Sequence, residues 1–331
     1  MTHLIQGQVT EHQRDVYTVS TPNGEVIASL KGSFFHGEKN FPCVGDYVLL
    51  DENNRISEIL PRKTKFSRAD FSGHAAGYAK TIKEQVVAAN FDYVFILSSL
   101  NADFKVNRIL RYITQARQSG GEPVVILTKA DLVEDIITPV NAVRFSEKSV
   151  PVHVISSHTG QGMDTLREYL QSGKTIVFLG MSGVGKSSLL NALMQDEVMV
   201  VKSIREDDSR GRHTTTHRQL FTLPSGAMVI DTPGMRELGL FQAEEGISLG
   251  FQDVEELFAQ CKFSNCAHKT EPGCAVRAAI SDGSLSQKRW EAYQAQTREN
   301  RFVEDKAAFM RERNAQWKSS IIQYRSAKKK R

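Results

Sequence analysis

Gly180-Met181-Ser182-Gly183-Val184-Gly185-Lys186-Ser187 has the spacing of a phosphate-binding loop, G-x-x-x-x-G-K-S. The chemistry follows from the residue types. Glycines let successive backbone N–H groups converge on phosphate oxygens, and a helix N-terminus adds partial positive charge. Lys186 is placed to reach β- and γ-phosphates during catalysis, and Ser187 to put its hydroxyl on Mg²⁺. The expected phosphate contacts run from Gly180 through Ser188. The flanks suit the motif: Thr175–Leu179 is an apolar run that reads as a strand, and Ser188–Met194 is an amphipathic run that reads as a helix.

Two further loops read as a base site. The apolar run Pro123–Leu127 ends in Thr128-Lys129-Ala130-Asp131, which resembles the [NT]-K-x-D motif by which GTPases choose guanine. The Asp131 carboxylate would accept from the N1–H and N2–H groups of guanine. Adenine lacks that donor pair and would leave the acceptor unpaired. The aliphatic stem of Lys129 would cover the base. Thr128 stands where Asn is usual; it loses the amide but keeps a hydroxyl to tie the loop down. Alone, Asp131 also suits a helix cap. A second run, Val152–Ile155, ends in Ser156-Ser157-His158-Thr159-Gly160, which resembles the GTPase loop whose backbone N–H meets guanine O6. By itself that stretch is also an ordinary glycine-rich turn.

Val201–Arg218 is polar and lacks hydrophobic periodicity, which suits a switch loop. A threonine in it would complete the Mg²⁺ shell; Thr215 is the first candidate and Thr214 the second. Ala227–Ile230 is apolar and leads into Asp231-Thr232-Pro233-Gly234, a D-x-x-G element. Asp231 is expected to hold Mg²⁺, and the Gly234 N–H to sense the γ-phosphate. Met235 occupies the place of the water-orienting Gln of many GTPases, and a thioether cannot position water. His213 is the candidate catalytic residue for that task, ahead of His217.

Three of the four cysteines lie close together as Cys261-x4-Cys266-x-His268-x5-Cys274. Three thiolates and one imidazole form a closed tetrahedral set with no open position, the pattern of a single structural Zn²⁺. Cys43 stands apart and is expected in a core.

The elements that must position these groups fall into three textures. Residues 1–68 look all-β, with strand candidates Val16–Val19, Glu25–Leu30, Tyr47–Leu50 and Arg55–Leu60 between turn signals. About five short strands in this length fit a small barrel such as an OB-fold. Residues 69–85 read as a linker. Residues 86–247 alternate strands with helices, including Val106–Gln118 and Met163–Gln171, and imply a parallel sheet whose ligand lies beyond the strand C-termini. Residues 248–331 turn helical around the cysteines, and Leu285–Ala327 reads as one or two long amphipathic helices with Trp290, Tyr293, Phe302, Phe309, Met310, Trp317 and Ile321 to pack.

The motifs come in an unusual order: base loops first, then the P-loop, then His213-Thr214-Thr215-Thr216 and Asp231–Gly234. Ordinary GTPases begin with the P-loop. With the barrel and the cysteine cluster, the chain resembles the RsgA (YjeQ) family of circularly permuted GTPases of small ribosomal subunit biogenesis, over nearly its whole length. The resemblance implies GTP hydrolysis stimulated by the small ribosomal subunit, and binding to its ribosomal RNA in late maturation. Permutation also places the γ-phosphate-sensing segment directly before the C-terminal domain.

The net charge of +4 hides an uneven distribution. From Ser286 onward there are 13 Lys/Arg against 5 Asp/Glu, and Arg62, Lys63, Lys65 and Arg68 form a second acid-free basic cluster. Both suggest a polyanionic partner. The N-terminal residues lack a basic segment followed by an apolar one, and no run of about 18 apolar residues occurs. A cytoplasmic monomer with no membrane partner is expected. The rival readings are a metabolic P-loop kinase, which has no use for a guanine loop, and a nucleotide-gated RNA-binding scaffold with negligible hydrolysis, for which Met235 speaks.

Overall fold

The structure, a computed structural model, describes residues 4–13, 16–35, 41–70, 83–101, 104–195, 218–231 and 243–304. They belong to two compact units, residues 1–68 with 85–238, and residues 69–84 with 239–331.

The first unit opens with a closed five-stranded barrel: β1 (Ile5–Gln13), β2 (Val16–Thr21), β3 (Gly24–Leu30), β4 (Tyr47–Leu50) and β5 (Arg55–Ile59). The ring runs β1-β2-β3-β5-β4 and closes through β1–β4, with β3 and β5 parallel. Alternate residues point inward, and Val9, Tyr17, Val19, Ala28, Val48, Leu50 and Ile56 fill the interior. The sequence locates four of the five strands. It misses β1, whose residues are mostly polar, because this strand is held less by an apolar face than by backbone ladders on both edges. Ile5–Gln8 pair with β4, and Glu11 and His12 pair beyond the barrel with Gln219 and Arg218.

Arg62 corrects part of the basic cluster. Its guanidinium grips Asp46 with both ends, Nε to Oδ1 and Nη2 to Oδ2 at 2.7 Å, and Nη2 also donates to the Phe41 carbonyl. Asp46 is fully buried and accepts the Cys43 N–H as well. Arg62 is therefore committed to the fold, whereas Lys63 and Lys65 remain exposed. Cys43 is buried, as expected. Replacing Arg62 with Met leaves a buried carboxylate without its cation. It should cost about 3–5 kcal/mol of stability by denaturant titration.

β6 (Lys65–Asp70) and β7 (Lys83–Ala89) form a two-stranded ribbon that leads into the nucleotide-type sheet. That sheet is built from β8 (Tyr93–Ser99), β9 (Glu122–Thr128), β10 (Val152–Val154), β11 (Thr175–Leu179), β12 (Arg218–Thr222) and β13 (Met228–Asp231). Its order is β10-β9-β8-β11-β13-β12, all parallel except β12. α1 (Val106–Gln118) packs over β8 and β9 and against α2 (Ile137–Ser146), and α3 (Lys186–Met194) follows β11. The chain leaves β8 toward β9 and β10, then returns to β11 on the other side. The β8–β11 boundary is thus the topological switch point, where ligands of such sheets bind.

The helix expected at Met163–Gln171 is a 3-10 helix over Met163–Leu166 followed by turns. Its apolar residues Met163 and Leu166, and Tyr169 and Leu170 in the turns that follow, all pack on the core. The i→i+3 bonds Thr165 N–H to Gly162, Arg167 N–H to Asp164, Tyr169 N–H to Leu166 and Leu170 N–H to Arg167 keep this short piece in tight turns. α1 spans the expected residues, and its buried face comprises Ile109, Leu110, Tyr112 and Ile113 among others.

Residues 243–304 of the second unit carry its helices: α4 (Glu244–Gly250), α5 (Gln252–Glu255), α6 (Ala275–Asp282) and α7 (Gln287–Glu304). Arg289 of α7 clamps the α4–α5 corner. It makes a two-pronged pair with Asp253 and donates to the Gly250 carbonyl, and its guanidinium lies 4.6 Å from the Phe251 ring. The basic tail, with Phe309, Met310, Trp317 and Ile321, lies outside the described residues, as does Arg68's side chain. Among the described residues, no helix is long and apolar enough to cross a membrane.

Candidate nucleotide site and metal cluster

The P-loop joins β11 to α3 at the switch point. Its first glycine is there for space: a Cβ on Gly180 would lie 2.5 Å from the Leu97 carbonyl of β8. Val184 is buried in the core and anchors the loop, Met181 packs beside it, and Ser182 and Gly183 form the exposed tip. Gly185 caps α3 in the left-handed region, after which Lys186, Ser187 and Ser188 open the helix. Lys186 Nζ donates to the Gly180 and Met181 carbonyls at 2.7 and 2.8 Å. The ammonium is thus folded over the loop it would share with a phosphate.

The base loops meet this cradle. Thr128 ends β9, and its Oγ1 donates to the Val184 carbonyl at 2.6 Å, across 56 residues of sequence. The hydroxyl ties the two loops together in place of the missing amide. Lys129 adopts the left-handed conformation (φ 62°), an uncommon one for a residue with a side chain, and Ala130 is buried behind it. Asp131 sits exposed in a 3-10 turn. The Ser156 hydroxyl donates to its carboxylate and, with Lys129 adding, holds it below the usual carboxylate range. Ser156 is itself fully buried and accepts the Thr159 N–H, while Ser157 is half-buried beside it. The Ala130 N–H donates to the Ile155 carbonyl, lacing the loops to one another. Replacing Thr128 with Val removes the donor to a buried carbonyl. GTP affinity should fall by about 5- to 150-fold, corresponding to ~1–3 kcal/mol, as read by calorimetric titration.

Asp231 ends β13 and is 8% exposed. Its Oδ1 is buried and has no hydrogen-bond partner among the described residues. Burial pushes the carboxyl up, and the Lys186 charge pulls it back. His213, Thr214, Thr215, His217, Gly234 and Met235 lie outside the described residues.

The second unit brings together all four predicted ligands. One Sγ from each of Cys261, Cys266 and Cys274 and a ring nitrogen of His268 lie within 4.8 Å of one another, a set that could hold a metal ion. His268 Nδ1 is 3.6 Å from Cys261 Sγ and 3.5 Å from Cys274 Sγ. Burial pushes the His268 imidazole down, toward the neutral form that ligates. Phe258 stacks on this ring at 4.5 Å, and Trp290 meets it edge-on at 5.6 Å. Cys274 caps α6, and the next N–H, of Ala275, donates to Cys261 Sγ.

Glu271 opens the Glu271-Pro272-Gly273 turn before Cys274. Its carboxylate accepts the N–H groups of Ala267, Lys269 and Thr270. Its own backbone N–H first, and then these three, push its pKa down to about 2. It shapes the arm between His268 and Cys274. The only sequence signal is an acid midway between two ligands.

The family model described as RsgA GTPase matches residues 59–241. A Listeria innocua protein named Small ribosomal subunit biogenesis GTPase RsgA 1 is 43% identical over 317 residues, which is 95% of this chain and 89% of that one. The crystal structure of YjeQ from Thermotoga maritima superposes with a TM-score of 0.63 at 28% identity, over 88% of this chain and 97% of that one. YloQ, described as a circularly permuted GTPase, superposes with a TM-score of 0.58 at 25% identity, over 88% and 93%.

Proposed function

Because the chain belongs to the RsgA GTPase family, we propose that it is a GTP-hydrolysing assembly factor that binds the small ribosomal subunit and its ribosomal RNA in late maturation, where the subunit stimulates turnover. The observation that carries this reading is the Thr128–Val184 hydrogen bond. It makes base loop and phosphate loop one site, so that selection of guanine and gripping of phosphate occur together.

In this reading Gly180–Ser188 cradle the phosphates, Lys186 turns from the loop carbonyls to phosphate oxygens, and Asp131 with Lys129, Ala130, Ser156 and Ser157 surrounds guanine. Ser187, Asp231 and Thr215 hold Mg²⁺. The fit rests on Asp231 Oδ1, a buried acceptor left for a cation's water shell. Bound there, the ion would neutralise charge on the β- and γ-phosphates. Gly234 senses the γ-phosphate, and His213 orients water. The cluster in the second unit takes one structural Zn²⁺. Its thiol-rich donor set suits that ion, and a tetrahedron with zinc–sulfur bonds of about 2.3 Å has edges of roughly 3.8 Å, close to the 3.5 and 3.6 Å contacts at His268.

The nucleotide domain, residues 86–247, is flanked by the barrel (1–68) and the zinc module (248–331), which grip RNA phosphate. The protein works as a cytoplasmic monomer without a membrane partner. The test is GTP turnover with and without purified small subunits, together with GTP and ATP affinities. Stimulation by the subunit and a GTP preference of at least a hundredfold are expected. Turnover indifferent to the subunit would refute the role in assembly, and equal affinities would refute the base site.

A further inference from the structure

The pairing beside Asp231 is asymmetric. β13 pairs with β11 only through Met228, Val229 and Ile230, so its last residue extends past that ladder. Asp231 pairs on the other side with Gln219 of β12. Gln219, in turn, pairs with Glu11 of β1, and Arg218 with His12. Glu11, Gln219 and Asp231 therefore form one row across the sheet, from the barrel to the candidate magnesium carboxylate. Without β1, the first residues of β12 would be an open edge, and sheet ends held on one side fray.

A second contact points the same way. Gly45, in the turn before β4, has φ +91°, and a Cβ there would lie 2.1 Å from the Ala89 carbonyl and 3.1 Å from Ile230 Cδ1. Ile230 immediately precedes Asp231. The Gly45 N–H donates to the Val9 carbonyl, and its own carbonyl accepts from Asn90 Nδ2. The buried Asp46–Arg62 pair locks the turn from the barrel side. Barrel backbone is thus wedged against β13 and paired with β12.

We propose that the barrel's first strand, through Glu11 and His12, is a positioning element for Asp231, and that Gly45 seats it. The inference rests on Asp231 as a magnesium ligand. The barrel is then part of the nucleotide site, and a partner that moves it alters magnesium and γ-phosphate binding through β12. This route is separate from the chain's exit toward the C-terminal unit.

Consecutive residues of a strand present their N–H groups to opposite sides. Of Glu11→Pro and His12→Pro, one removes a donor facing β12 and the other a donor facing β2. GTP turnover is measured against free Mg²⁺, with GDP affinity in EDTA and melting temperature alongside. The β12-facing variant should raise the Mg²⁺ needed for half-maximal turnover about tenfold, the scale seen when support behind a metal ligand is lost. GDP affinity in EDTA should stay unchanged. The β2-facing variant should only lower the melting temperature. Two folded proline variants with the parent's Mg²⁺ dependence would overturn the proposal. If neither folds, Gly45→Ala decides on the same readout: a raised Mg²⁺ requirement supports the proposal, and an unchanged one overturns it. Asp231→Asn separates the two levels. If it too leaves the Mg²⁺ dependence unchanged, the magnesium assignment fails rather than the barrel's role.

Discussion

Lys186→Ala should lower single-turnover GTP hydrolysis by about 10²–10³-fold, the loss typical when one preorganised donor to developing charge is removed. Two features make this the most damaging single change in the nucleotide site. The ammonium is held at the loop mouth by the Gly180 and Met181 carbonyls, so it needs little reorganisation to meet a phosphate. It also lowers the proton affinity of the buried Asp231 carboxyl, which burial raises. Without Lys186 that carboxyl moves further up, which favours its proton over a cation. Lys186→Arg should rescue little, because a planar guanidinium cannot place a compact charge between two carbonyls of a tight loop. Hydrolysis within fivefold of the parent would contradict this account, provided GDP binding shows the loop intact.

Removing the metal, by chelation or by Cys266→Ser, should unfold the second unit while the first keeps GDP affinity. The reason is size. α4, α5 and α6 have 7, 4 and 8 residues, below the length at which helices persist alone. Their order depends on the ligand cluster and on the aromatic stack of Phe258, His268, Trp290 and Tyr293 around it. Structural zinc in such modules contributes about 10–16 kcal/mol of apparent binding free energy, more than a unit this small has in reserve. Trp290 reports directly, since its ring touches His268. In a Trp317→Phe background its emission should shift to the red on chelation and return with added Zn²⁺. An unshifted spectrum with the metal gone would show that the cluster does not hold the unit together.

Much of the chemistry is legible in the sequence because it lies in short contiguous motifs. Within Gly180–Ser188, Thr128–Asp131 and Cys261–Cys274, spacing and residue type alone set what the backbone can do. The parallel sheet is legible for a similar reason, since buried strands read as apolar runs whichever neighbours they find. The tertiary structure decided the rest. Arg62 reads as a surface cation until its pairing with Asp46, 16 residues away, buries it. Thr128 reads as a weakened base residue until its hydroxyl meets Val184. β1 hardly reads as a strand, because its stability comes from ladders on both edges and not from an apolar face. Glu11 and Gln219 lie far apart along the chain, and no local periodicity signals that they pair. Residue type and local spacing mark the groups suited to phosphate, guanine and metal. That the barrel and the nucleotide sheet join through one set of strands emerges on folding alone, because register between distant segments is chosen by the packing of the whole fold.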